Sequence, residues 1–385
     1  MNGADAAQSA TTVSRRVHGL DTLRSVAIGA VLLFHANVYH GEGTLPDWLV
    51  PMARVGWMGV DLFFVLSGYL ITSQLARPYL RGERPGLWSF YRNRLFRVLP
   101  AYLVVLAMYY WVPNWNEEPG ELAALGNYLT FTYNLLVDFS NHHAFSHAWS
   151  LCVEEHFYLL LPVIVLVMMR RPSLLKTAMA IGALVLMGIA VRSYFLVHAL
   201  QPMSRAGENF GLVYMTRIYY PTYSRLDGLL AGVALALIRA YRPSWWTVLT
   251  AHGHALLVSG GALVGVAVYL FKDRWESVFG APAVGIAIGF PLLAVGLGLL
   301  VACALSTNGL LRYRVPGAQL IATLAYSLYL TSKELIHLVD DWFPKIAEGH
   351  MAAWLSVYAA CCLIVAAVLY WCVEKPFLIL RDRTS

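Results

Sequence analysis

The sequence predicts an all-α, polytopic transmembrane helical bundle, and three observations carry that prediction. Of the 385 residues, 58% are apolar and only 13% are charged, against about 25% charged in a soluble domain. Mean hydropathy is +0.58. Apolar runs of about 20 residues, long enough to cross the hydrocarbon core, recur along the chain. About ten spans are expected, near 20–40, 56–76, 95–112, 149–169, 173–199, 221–239, 247–271, 281–304, 317–338 and 351–373. No polar stretch between them is long enough to fold alone. Residues 18–378 are therefore read as one transmembrane domain, between a polar, disordered cytoplasmic tail at 1–17 and a short cytoplasmic tail at 379–385.

The direction of each span follows from the positive-inside rule. With both termini inside, the inner connections hold most of the cations, among them Arg15, Arg16, Arg77, Arg81, Arg84, Arg92, Arg94, Arg97, Arg170 and Arg171. The outer ones hold only Arg54, Arg205, Arg217, Lys272, Arg274 and Lys345. Residues 121–137 are apolar enough to tempt a further span, but counting them would invert everything that follows and abolish the bias. They are expected to be re-entrant or interfacial on the outer side. The net charge of +6 thus belongs to loops and does not describe a nucleic-acid surface. The five cysteines lie in apolar runs without CxxC spacing, which argues against disulfides and against a metal site. The first apolar run keeps Asp21 and Arg24 and lacks a small-residue cleavage site, so it is a helix and not a signal peptide.

That first run, Gly19–His40, carries Arg24 and His35. Eleven residues of helix separate them by about 16 Å on nearly one face. The topology serves as a depth ruler for the other costly groups. His35, Asp61, Glu154, Glu155, His156, Arg225, Asp227, Lys333 and Glu334 all fall within about five residues of the outer end of a span. Ionisable side chains in a membrane are expensive and must satisfy one another around a wet interior. The bland reading, snorkelling at the interface, suits any one of them but not the set. On the inner side, Arg94 and Arg97 are i, i+3 neighbours at the start of the third span, spaced to hold phosphates. His142, His143 and His147 lie close in sequence but lack further metal-ligand spacing. The aromatic segments Tyr109–Trp115 and Tyr219–Tyr223 fit interface belts.

Several stretches, in order, resemble the acyltransferase-3 family of integral-membrane O-acyltransferases. They are Gly19–Arg24 with His35, Gly59–Leu70, Arg92–Pro100, His147–Tyr158, Arg225–Gly228, Tyr326–Leu330 and Val373–Phe377. Each is weak alone; the ordered series covers nearly the whole chain. The resemblance implies transfer of an acyl group, often acetyl, from acyl-CoA to a hydroxyl. No permanently bound cofactor is implied. The family's Arg-x10-His pair falls on Arg24 and His35, its Arg-x-x-Arg pair on Arg94 and Arg97, and its Trp-Ser-x-x-x-Glu segment on Trp149, Ser150 and Glu154. Many members carry a histidine two residues after the Ser-Leu-Tyr-Leu run; here that position is Ser332, followed by Lys333. No extracytoplasmic hydrolase-like domain is recognised after the last span, so the chain is expected to act alone or to hand its product to a partner.

The expected chemistry follows. An alcohol needs a base to attack a thioester near neutral pH, and His35 is the candidate. Glu154 or Glu155 is expected to orient its imidazole. Arg24, Arg94 and Arg97 are expected to hold the CoA phosphates from the cytoplasmic side. Asp61, Trp149, Ser150, His147, Arg225 and Lys333 are the candidate acceptor-side contacts, although Asp61, Arg225 and Asp227 suit bracing of the bundle better than chemistry. The acceptor is expected to be a glycan, a lipid-linked sugar or a polyhydroxylated small molecule such as an antibiotic. The location is expected to be a bacterial inner membrane, with homo-oligomerisation left open. The competing readings are a proton-coupled secondary transporter or exporter and a non-catalytic scaffold. The absence of a detectable repeat counts against the transporter.

Overall fold

The computed structural model describes residues 17–40, 45–83, 86–112, 115, 120–136, 138–142, 144–169, 173–203, 209–271, 284–347 and 351–383. The expectations placed on the 1–16 tail, Arg84, Arg170, Arg171, Arg205, Lys272, Arg274, His143 and His350 lie outside them. Each expected span overlaps a helix of at least 15 residues. These are α1 (His18–Tyr39), α2 (Met58–Leu80), α3 (Leu87–Trp111), α4 (Ala148–Met169), α5 (Leu174–Phe195), α6 (Asp227–Tyr241), α7 (Gly253–Leu270), α8 (Phe290–Ala304), α9 (Ala318–Trp342) and α10 (Met351–Leu369). There are no strands among the described residues.

By length and apolarity alone, 7 helical stretches can cross a membrane: α1, α2, α4, α5 with its continuation to Leu200, α7, Gly285–Ala304 and Ala352–Arg383. The expected spans on α3, α6 and α9 fall short for a visible reason. α3 starts among arginines, α6 has 15 residues, and α9 carries Lys333, Glu334, Asp340 and Asp341. Such helices tolerate polar content because other helices, not lipid, surround it. Lys333 and Glu334 are indeed buried.

Burial separates a centre from a periphery. The apolar window of α2 is 67% buried inside the protein and that of α5 only 6%. Leu175, Met179, Leu186 and Met187 of α5 are exposed, a lipid-facing surface. α2 and α6 pack backbone to backbone because small residues let them. A Cβ on Gly68 would stand 2.1 Å from the Leu229 carbonyl oxygen, and one on Gly232 would stand 2.2 Å from that of Val65. Such contacts are the usual means of close helix association in lipid.

Residues 121–137 make no crossing helix. Two short helices, Leu125–Leu129 and Tyr133–Leu136, are separated at Phe131, whose φ of 55° is left-handed. Hydrogen bonds hold this segment against the bundle. Tyr102 of α3 donates to the Tyr128 carbonyl at 3.1 Å, and Asn134 donates to the Tyr220 carbonyl at 3.0 Å. At the far end of α1, His40 pairs with Asp340 of α9 at 2.7 Å and stacks on Trp354 of α10. The chain ends differently from a simple tail: a π-helical turn, Tyr370–Glu374, leads into a further helix, Lys375–Arg383.

Candidate active site

The predicted residues assemble into two neighbouring clusters. The inner one is a cavity of about 640 Å³. Arg24 of α1 and Arg94 and Arg97 of α3, the three predicted phosphate contacts, all line it. Its wall continues through Ser67 and Gln74 of α2, Glu154 and Ser150 of α4, and Tyr326 and Tyr329 of α9. Arg94 lies 3.5 Å from Glu154 and 3.9 Å from Glu155, with its guanidinium 3.7 Å above the Tyr158 ring. The Tyr158 hydroxyl is in turn hydrogen-bonded to Ser67. Residues of three helices, α2, α3 and α4, are thus linked around Arg94.

The cavity wall also holds Ser150 and Tyr329, whose hydroxyls are 2.6 Å apart. Tyr329 donates to the His147 carbonyl at 2.9 Å, and Ser150 lies 3.4 Å from the same oxygen. Beyond this pair lies the outer cluster. The His35 ring stands 6.1 Å from that of His147 and 5.8 Å from that of Tyr39. His147 bonds the Leu330 carbonyl through Nε2 at 3.2 Å. A carbonyl only accepts, so Nε2 carries the proton and the lone pair of the neutral ring sits on Nδ1. Lys333 donates to Ser146 at 2.8 Å and lies 4.7 Å from the Tyr39 ring centre. His35 itself is buried, and its Nδ1 has no hydrogen-bond partner among the described residues.

A local backbone feature presents His147. Phe145 has φ 56°, a left-handed conformation uncommon for a bulky residue. The chain turns there, just before α4 begins at Ala148. Phe145 is fully buried against Tyr109 at 4.5 Å between ring centres. Packing of the phenyl ring thus offsets the strained turn that aims Ser146 and His147 at α9.

Two expected pairings come out differently. Glu154 and Glu155 were expected to orient His35, but the structure joins them to Arg94 and places the His147 ring beside His35 instead. The depth ruler counted residues from span ends, yet α4 carries Glu154 two helical turns past His147, about 10 Å further along the axis. Asp61 and Arg225, candidate acceptor contacts, form a buried ion pair at 2.9 Å. Arg225 is caged by Trp149, Tyr219 and Phe290, so Trp149 packs on this brace. None of Asp61, Trp149 and Arg225 lines the cavity. Asp227 likewise pairs with Arg192 at 2.7 Å. Sequence reasoning missed Tyr329, Ser146 and Tyr158. Tyr329 was within reach of it, since it precedes Lys333 by four residues and shares its helix face.

With this geometry in view, comparison with known proteins is decisive. A family model described as an acyltransferase domain, that of the acyltransferase-3 family, matches residues 17–373. The chain belongs to the acyltransferase-3 family. It is 25% identical over 383 residues to the O-acetyltransferase OatA of Staphylococcus aureus, an alignment that covers 94% of this chain and 57% of that one. It is 28% identical over 384 residues to the putative peptidoglycan O-acetyltransferase YrhL of Bacillus subtilis, covering 94% of this chain and 55% of YrhL. A putative O-acetyltransferase of Staphylococcus aureus is 31% identical over 235 residues, 58% of this chain and 35% of that protein. The chain thus spans somewhat over half the length of the first two relatives. No solved structure matches. Of the acyltransferase-3 motif positions, Arg24, His35, Arg94, Arg97, Ser150 and Glu154 lie within the two clusters, and Trp149 packs on Arg225 instead. At the position where many members have histidine, Ser332 is fully buried, and its carbonyl accepts from the Tyr358 hydroxyl at 3.2 Å.

Proposed function

We propose that this chain is a membrane O-acyltransferase that moves an acyl group, acetyl in the simplest case, from cytoplasmic acyl-CoA to a hydroxyl of a glycan or similar polyhydroxylated acceptor. One observation carries the reading. A single cavity has Arg24, Arg94 and Arg97 in its wall together with Ser150 and Tyr329, and Tyr329 bonds the carbonyl of His147, whose ring stands beside that of His35. A phosphate-rich carrier with a long flexible arm fits such a space, with its phosphates on the arginines and its thioester at the hydroxyl pair. The relatives named as O-acetyltransferases, one of them of peptidoglycan, support the acetyl group and the glycan. On this reading about ten spans cross a bacterial inner membrane, both termini are cytoplasmic, and the outer cluster faces the acceptor.

In the reaction, the acceptor oxygen attacks the thioester carbon, a C–O bond forms and the C–S bond breaks. His35 takes the hydroxyl proton and returns it to the departing CoA sulfur. His147 and Lys333 line the approach. With the carboxylates of α4 engaged by Arg94, Glu154 and Glu155 act on the donor side, holding the arginine in position. Asp61 and Arg225 brace the fold. The transporter alternative has no support from the matching family or its relatives.

The test is release of free CoA from acetyl-CoA by the purified protein in lipid nanodiscs, with and without a soluble glycan acceptor. Acceptor-dependent CoA release that disappears in His35→Ala is the expected result. Transfer at the wild-type rate in that variant excludes His35 as the base, and absence of transfer from any acyl donor overturns the acyltransferase reading.

A further inference from the structure

The inner cavity has a wall that the motifs did not include. Arg381 and Asp382, from the helix Lys375–Arg383, line it together with Arg24, Arg94 and Arg97. The sequence assigned 379–385 to a tail. Instead the chain leaves α10 through the π-helical turn Tyr370–Glu374, and this turn is pinned where Ser327 of α9 hydrogen-bonds the buried Glu374 carboxylate. The final helix then packs on α3, with the Phe377 ring 6.3 Å from that of Phe96. Glu374 and Arg381 are both electrostatic neighbours of Arg97. This terminal helix is therefore fastened to α3 and α9, the two helices that supply Arg94, Arg97 and Tyr329.

Position along the cavity assigns Arg381 a particular partner. The chain from α10 runs antiparallel to α9, with Trp354 at Asp340, Tyr358 at Ser332 and Glu374 at Ser327, and seven further residues of helix carry Arg381 about 10 Å past Glu374, away from Tyr329, where the thioester belongs. Arg94, nearer that end, is engaged by Glu154 and Glu155. Acyl-CoA has three phosphoryl groups, and the one remote from the acyl arm is the 3′-phosphate of the ribose. We infer that Arg381 binds this 3′-phosphate, so that the C-terminal helix is part of the donor site. The inference rests on the acyl-CoA reading and deepens it.

The neighbouring carboxylate supports an exchange. Asp382 holds the Arg381 guanidinium at 2.7 Å, and Asp382 is two-thirds exposed. A dianionic phosphate monoester competes well with an exposed carboxylate for a guanidinium, because it accepts two parallel N–H bonds with greater charge. The donor therefore displaces Asp382 on binding, and the carboxylate moves into solvent.

The experiment compares acetyl-CoA with acetyl-dephospho-CoA, which lacks only the 3′-phosphate, in transfer assays on the full chain in nanodiscs. For Arg381→Gln the expected result is a rise of about tenfold in KM for acetyl-CoA, no change in KM for the dephospho donor and no change in kcat for either. Asp382→Asn is expected to lower KM for acetyl-CoA alone. Equal effects of Arg381→Gln on the two donors, or none on either, overturn the assignment while leaving the acyltransferase reading intact. Failure of the wild-type protein to transfer from any acyl donor overturns both.

Discussion

The inner and outer clusters share α1, α4 and α9 and differ in almost everything else. The inner cluster is open and cationic, a cavity of about 640 Å³ with arginines from α1, α3 and the C-terminal helix. The outer cluster is close-packed, with His35, His147 and Lys333 all buried. Ser150 and Tyr329 sit between them and join both. Under the proposed function, the difference is how one bundle divides two tasks. Binding a highly charged, water-borne donor needs exposed guanidinium groups and room. Taking a proton from a hydroxyl as it attacks a thioester carbon needs a dry, rigid setting in which an imidazole is held near its target.

The comparison breaks most sharply at His35. His35→Ala is expected to lower transfer by at least about 100-fold, the usual contribution of a general base, while the Kd for CoA measured by titration calorimetry stays within about twofold. A parallel loss of CoA binding would mean that the clusters are one site. Next in size is the brace beneath them. Asp61→Ala leaves Arg225 buried without its carboxylate and is expected to cost about 3–5 kcal/mol, read as a lower unfolding temperature in detergent. The double change Asp61→Leu with Arg225→Met is expected to recover most of that loss. A stable Asp61→Ala protein with a raised acceptor KM would instead make the pair a substrate contact.

Smaller effects sharpen the boundary. Lys333→Met removes the hydrogen bond to Ser146 and is expected to reduce kcat about tenfold with donor KM unchanged. Movement of donor KM would extend the donor site past Tyr329. Smallest is Arg97→Gln, which is expected to raise KM for acyl-CoA by under about tenfold. Its effect should shrink further as ionic strength rises, because Arg97 is exposed and its field is screened within about 10 Å at 0.1 M salt. An effect of Arg97→Gln on kcat at saturating donor would merge donor binding with chemistry.

Much of the fold and part of the site were legible in the residues. Long apolar runs declare helices in a membrane, since no other open structure satisfies its own backbone there, and each expected span overlaps a helix of at least 15 residues. The restraint shown at 121–137 matches two short helices and no span. Arg94 and Arg97 were legible as an i, i+3 pair, and the resemblance to the family's motifs, which are one-dimensional, added Arg24 to them. The partner of His35 was not. Counting residues from a span end measures depth to within a turn or two, whereas a hydrogen bond needs about 3 Å. That tolerance allowed Glu154 to be matched with His35 when Arg94 claims it.

By itself, the sequence determined the class of the molecule, the direction in which its cations bias it, and the family whose motifs it carries in order. Composition and spacing survive any rearrangement of the helices, so they can be read before the fold is known. The tertiary structure alone decided which ionisable groups neutralise each other. It gave Asp61 to Arg225, Asp227 to Arg192, and Glu154 to Arg94, and it left His35 facing His147. It also turned the expected tail into a wall of the inner cavity. Pairing in a buried site depends on helix rotation and on separations of a few ångströms, and those are set by packing of the whole bundle, down to glycines such as Gly68 and Gly232 that let α2 and α6 touch.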